Sequence, residues 1–158
     1  MAENHVVELG RLVSNLHSLE SLLRMYLLNV AHKSGLRTTR TEYWNLNVGD
    51  SVDVDEFTNY DALGALVSKF NADVATRDKS LTLDTAIVTI RDLIAHGRVA
   101  STSDSLADMR IVKFGQPRGG KVEVVTCALM DDAWFDAGIK LSFDQLVKVH
   151  TAHEKFAA

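Results

Sequence analysis

Arg91, Asp92 and His96, three side chains within the six-residue run RDLIAH, are the group in this sequence best suited to chemistry. Arginine offers a planar, permanently charged fork that matches phosphate oxygens. Histidine is the side chain whose proton comes and goes near neutrality. Together they suit work on a phosphodiester without a metal. Asp92 could orient Arg91 through another residue, or accept from a backbone group. Five positions on an ideal helix are about 140° of rotation. Arg91 and His96 therefore border one groove only if the last helical turn loosens at Ala95, His96 and Gly97. Arg98 would return to the side of Arg91 if the helix continued. A plainer explanation competes. An arginine on a helix flank is commonly solvated, and a histidine before glycine suits the negative end of the helix dipole.

Other groups are weaker candidates. His150 and His153 stand at a spacing that would permit a metal pair, but no third ligand lies near in sequence. Asp50, Asp53, Asp55 and Glu56 read as a solvated acidic face, without the glycine-centred pattern of a calcium loop. The single cysteine, Cys127, excludes an internal disulfide and a cysteine-based metal cluster, and reads as a packed small hydrophobe. GQPRGG over 115–120 lies between two β-rich stretches rather than before a helix, so it is not a phosphate-binding Walker loop. No cofactor or metal is expected.

The elements that must hold these side chains follow from periodicity. Leu83, Ile87, Ile90 and Ile94 recur at spacings of four, three and four, an apolar helical stripe within a helix from about Leu81 to His96. Over residues 5–32, Leu9, Leu12, Leu16, Leu19, Leu23, Tyr26 and Val30 form a heptad seam, with Gly35 as the stop. Leu22, Met25 and Leu27 broaden it, so this helix packs inside a bundle or against a partner chain. Residues 58–75 read as another helix, with Thr58 or Asn59 as its cap. Thr41 to Phe57 reads as a long loop with room for a short strand. Ala100 to Ser105 reads as a polar loop. Met109 to Phe114 and Val122 to Leu129 read as a β-hairpin closed by GQPRGG, with a bulge or burial on both faces around Val124 and Val125. A short helical turn over 132–137 precedes a final helix over about 143–156, with Ser142 and Gln145 fitting a capping box. The expected fold is mainly α: an antiparallel helical bundle in a single domain over 1–158, with a β-hairpin inserted at about 107–130 before the C-terminal helix.

Composition bounds the partners. The formal charge of −4 gives no global attraction for nucleic acid, so any such site must be a local patch. His32, Lys33, Arg37 and Arg40 form one basic cluster, readable as a solvated helix end or as a phosphate-facing patch. No apolar run is long enough to span a membrane. The acidic N-terminal stretch lacks a signal-peptide pattern, and a reducing, cytoplasmic setting is expected.

RDLIAHG resembles the R-x4-6-H signature of HEPN domains, with Arg91, His96 and the polar Asp92 on the matching positions. A late helix after a long first helix is also similar to that family, over about residues 5–98 and the last helix. The resemblance implies a metal-independent endoribonuclease in a defence or toxin–antitoxin setting. It implies a homodimer that brings two motifs into one cleft, and internal attack by the RNA 2′-hydroxyl. Arg91 would then stabilise the phosphoryl oxygens, His96 would move a proton, and Asp92 would position. Arg98, Lys33, Arg37, Arg40 and Arg118 would supply the RNA footprint, and an antitoxin or regulatory protein is a further expected partner. The alternative is a non-catalytic dimeric helical interaction or regulatory protein, since some members of the family have no activity.

Overall fold

A computed structural model describes residues 2–35, 43–101 and 108–157. The protein is a mainly helical bundle with a small antiparallel sheet inserted before the C-terminal helix. The helices are α1 (Ala2–Lys33), α2 (Leu63–Val74), α3 (Ala86–His96) and α4 (Asp132–Ala152). The strands are β1 (Arg98–Ala100), β2 (Arg110–Phe114) and β3 (Val124–Leu129). No helix among the described residues is long and apolar enough to cross a membrane. Two compact units are distinguishable: Met1–Ser18 with Asp84–Gln145, and Leu19–Leu83 with Leu146–Ala158.

The first unit holds the sheet, α3 and the first parts of α1 and α4. Leu93, Ile111, Met130 and Phe135 form its buried cluster, with Leu9, Met109, Trp134 and Ile139 packed around it. The helix starts later than its apolar pattern suggested, at Ala86 rather than about Leu81. Asp84 explains the delay. Its side chain accepts from the Ala86 N–H, and its own N–H donates to Gln145 Oε1 at 2.9 Å. Both bonds satisfy backbone N–H groups at the entry to α3 that no helical hydrogen bond takes up. Ile87 and Leu93 are buried, whereas Ile90 and Ile94 are only half-buried.

The C-terminal helix is longer than expected, because the turn over 132–137 and the helix after it are one element. Ser142 and Gln145 therefore cap nothing at its start. Buried mid-helix, Ser142 accepts from Asn15 Nδ2 of α1 at 3.0 Å, and Gln145 serves the entry to α3. Gly138 does not stop the helix. A Cβ there would stand 3.1 Å from Leu12 Cδ2, so glycine fits close packing against α1.

The sheet has the order β1-β2-β3, one strand more than the expected hairpin. Arg98 pairs with Val112 and Val112 with Cys127, while Val99 pairs with Ile111 and Ile111 with Ala128. Register shifts beyond Lys113, where Phe114 pairs with Val124 and Val125 is the extra residue of a bulge. Gly119 and Gly120, at φ 57° and 73°, make the two-residue turn between Arg118 and Lys121. Paired positive φ values match the twist of the flanking strands, and glycine adopts them freely. Cys127 is exposed, contrary to the packed role expected of it, because it lies on the sheet face opposite buried Ile111.

In the second unit, Leu19, Leu23 and Tyr26 of the α1 seam are fully buried, as are Leu66, Phe70 and Val74. Each such large apolar side chain contributes about 1.5–3 kcal/mol by burial. The Tyr26 ring meets Phe70 edge-on at 4.8 Å, and its hydroxyl donates to Asp73. α1 ends as the sequence suggested, with Gly35 at φ 70° donating to His32 O. α2 begins at Leu63, later than the expected start, and its N-cap is Ala62. Thr58 and Asn59 hold the preceding turn instead. Asp55 Oδ1 accepts from the Phe57 and Thr58 N–H groups, and Asn59 Oδ1 accepts from Arg24. Between Tyr43 and Phe57 the chain makes a 3-10 turn at Tyr43–Asn45, and no strand is formed there among the described residues.

Candidate functional site

The site begins where α3 ends. Gly97 N–H donates to Leu93 O at 2.7 Å, so the helix stays regular through its last turn and does not loosen at His96. Gly97 has φ −72° and ψ 156°, extended rather than the left-handed geometry common just past a helix. Glycine is needed for a different reason. A Cβ would stand 2.4 Å from Leu93 O and 2.6 Å from Ile111 Cγ1. The chain thus turns straight from α3 into β1 over the core. Arg98 lies on a strand, so helical periodicity does not return it to Arg91. The helix-to-strand turn instead brings Arg98 beside His96.

Asp92 is the hub of the polar contacts. One carboxylate oxygen, Oδ2, accepts from Lys113 Nζ of β2. The other, Oδ1, lies 3.5 Å from His96 Nε2, one helical turn away, an ion pair when the imidazole is protonated. The hydrogen bond from Lys113 holds the Asp92 carboxyl below the usual carboxylate range, helped by the charges of Lys113, His96 and Arg91. Asp92 is therefore a carboxylate at neutrality. His96 remains open, with 61% of its side chain exposed.

His96 lines a concavity of about 260 Å³ with Arg98, Phe114, Gly115, Pro117 and Val122. The Arg98 guanidinium stands 5.4 Å from the centre of the Phe114 ring, a cation–π contact. A second concavity, of about 400 Å³, shares Gly115 and Val122 with the first and adds Gln116, Arg118, Lys121 and the acidic Glu123. An exposed imidazole, its carboxylate and three cations are thus gathered around the end of the sheet.

Arg91 stands apart. It is half-buried, lines neither concavity, and has no hydrogen bond or ion pair among the described residues. Its charge acts on Asp92, but the carboxylate is bonded to Lys113 and does not orient the guanidinium. Lys33 is exposed at the end of α1, in the second unit. Arg37 and Arg40 lie outside the described residues.

Sequence reasoning missed Lys113, Lys121 and Phe114. Lys113 carried one signal. It alternates in phase with Ile111, so it points toward the covered side of β2, where an ammonium requires a carboxylate. Its partner becomes visible only when the strand is packed on α3. Phe114 closes the β-rich stretch from Met109 and is 37% exposed.

Among the described residues no three His, Cys, Asp or Glu side chains cluster as metal ligands. His150 is exposed beside Glu154, and His153 Nε2 shares a hydrogen bond with Asn29 Nδ2 at 2.9 Å. In comparisons with family models, curated proteins and solved structures, nothing matches this chain.

Proposed function

We propose that this protein is a metal-independent endoribonuclease, acting in the cytoplasm as a homodimer. The observation that carries the reading is the exposed His96 imidazole lining one concavity with Arg98, braced by a carboxylate that Lys113 keeps charged. The R-x4-H spacing of Arg91 and His96, shared with the HEPN signature, supports the same reading.

The reaction is transesterification within RNA. The 2′-oxygen attacks the adjacent phosphorus, the bond from phosphorus to the 5′-oxygen breaks, and a 2′,3′-cyclic phosphate and a free 5′-hydroxyl result. A proton must leave the 2′-hydroxyl and another must reach the departing 5′-oxygen. In each site His96 transfers one of these protons and solvent water the other. Arg98 binds the phosphate, and Arg91 from the dimer cleft stabilises the charge developing on its oxygens. DNA lacks the internal nucleophile, so RNA is the substrate class. A defence or toxin–antitoxin setting, with a regulatory protein masking the cleft, accompanies this reading.

The deciding experiment is cleavage of a labelled RNA in excess chelator by wild type, R91A and H96A, each checked for folding. Cleavage by wild type alone, with a cyclic phosphate end, is the expected result. Equal cleavage by all three would remove these residues from the chemistry. A second reading, a non-catalytic interaction protein, is favoured by one feature: Phe114, Val124 and Val125 are large apolar side chains exposed on the sheet. Absence of cleavage by folded wild type on every RNA tested would leave that reading in place.

A further inference from the structure

The sheet has two unlike faces. Opposed residues in an antiparallel ladder point to the same side. Ile111 is 2% exposed and belongs to the buried cluster with Leu93, and Lys113 reaches Asp92, so α3 covers this inner face. The outer face carries the alternate residues: Arg98, Val112 and Cys127 in one row, Arg110 and Leu129 in the next, and Phe114 at the end. Arg98, Arg110, Phe114 and Cys127 are exposed, and Val112 and Leu129 are half-buried.

The charge of this region opposes that of the chain. The whole protein is formally −4. Over 98–100 and 110–129 stand Arg98, Arg110, Lys113, Arg118 and Lys121 against one acid, Glu123. Lys113 is paired with Asp92, which leaves four cations around the outer face and its turn. Basic side chains around an exposed aromatic on an open sheet are a platform for single-stranded nucleic acid. Bases stack on the ring and on guanidinium planes, and the cations follow the phosphates.

We infer that the outer face of β1-β2-β3 binds a single-stranded RNA segment next to the cleavage point, one base stacking on Phe114 and phosphates meeting Arg98 and Arg110. The inference rests on the ribonuclease reading for the placing of the scissile phosphate at His96. Arg98 and Phe114 belong both to the outer face and to the His96 concavity, so a strand crossing the sheet leads into the site. Arg118 and Lys121 at the turn extend the same track beyond the sheet. A stacking surface of this kind selects single strands over duplex and imposes little sequence preference.

The test is binding, separated from cleavage by using the H96A background. A fluorescent twelve-nucleotide oligouridylate is titrated with H96A protein in chelator, and anisotropy is followed at several salt concentrations. Adding Phe114→Leu, which keeps apolar bulk but removes the ring, is expected to weaken binding about tenfold, and Phe114→Trp to restore it. Adding Arg110→Glu, at an exposed site, is expected to weaken binding and to flatten its salt dependence. Unchanged binding in both variants would overturn the inference, even where wild type cleaves RNA and the ribonuclease reading holds. Ring-dependent binding by a protein whose wild type never cleaves would uphold the RNA face while the ribonuclease reading fails. Binding of labelled polyglutamate that Arg110→Glu abolishes, with no affinity for oligouridylate, would overturn the inference and assign the face to an acidic protein instead.

Discussion

At the scale of single residues, Asp92 stands between Lys113 and His96. Its carboxylate bonds to Lys113 and lies 3.5 Å from His96 Nε2, where it attracts the ring when the imidazole is protonated. D92N keeps the shape and removes the charge, so Lys113 loses its counter-ion and the protonated ring loses the carboxylate beside it. We expect kcat for RNA cleavage to fall about tenfold with KM little changed, the size of effect seen when a positioning group is lost. K113M tests the other contact. The pair is partly exposed, so its loss should cost only about 0.5 kcal/mol at neutral pH. The sign of the pH dependence follows from the direction of the shift. Asp92 has a lowered folded pKa, so its stabilisation is present above the ordinary aspartate value of 3.8 and is lost as pH falls through the folded value. Denaturant melts of wild type and K113M should therefore differ at pH 7 and converge in strong acid. A gap that persists in acid would mean that Lys113 acts through packing of its aliphatic stem rather than through charge.

At the scale of elements, one glycine fixes the junction on which the site depends. The φ of Gly97 is one any residue adopts, so alanine there brings no backbone strain. Its methyl would instead meet Leu93 O and the Ile111 side chain. A backbone oxygen inside a helix cannot give way, so α3 and β1 must separate. We expect G97A to lose about 1–3 kcal/mol of stability, read from thermal or denaturant unfolding, the range for overpacking a tight contact. It should also lose more cleavage than stability explains, since His96 and Arg98 flank the junction. What the sequence made legible divides along the same physical lines. The α1 seam was readable because three heptads of apolar residues outweigh local competition. The starts of α2 and α3 were placed too early because Asp55 and Asp84 bond to nearby backbone N–H groups and hold the chain out of a helix, which periodicity alone does not register. β1 was unreadable, being three exposed residues whose pairing depends wholly on β2. Alternation located Cys127 and Phe114 on strands but could not say which face a helix would cover. Helical periodicity places Arg98 on the side of Arg91, whereas a strand sets it beside His96.

At the scale of the whole molecule, the position of Arg91 bears on the number of copies. It lies outside the concavity that His96 lines, and no group among the described residues neutralises it by contact. A guanidinium needed for catalysis must then meet the phosphate from another direction. A two-fold dimer provides one, because a symmetric interface presents each motif to the other. In such a cleft, Arg91 of one copy completes the site around His96 of its partner. This arrangement has a signature that a one-chain site lacks. R91A and H96A homodimers would both be inactive. Mixed and allowed to exchange, half of the dimers become heterodimers, each with one intact site made from the unmutated residue of either copy. Activity should return to about a quarter of the wild-type level, given free exchange and independent sites. A site built within one chain would recover nothing, because every chain in the mixture carries a lesion. The measurement is RNA cleavage in chelator after co-refolding the two variants, with size-exclusion chromatography to establish the dimer. No recovery from a demonstrated heterodimer would return Arg91 to a structural role and leave Arg98 as the phosphate-binding guanidinium beside His96.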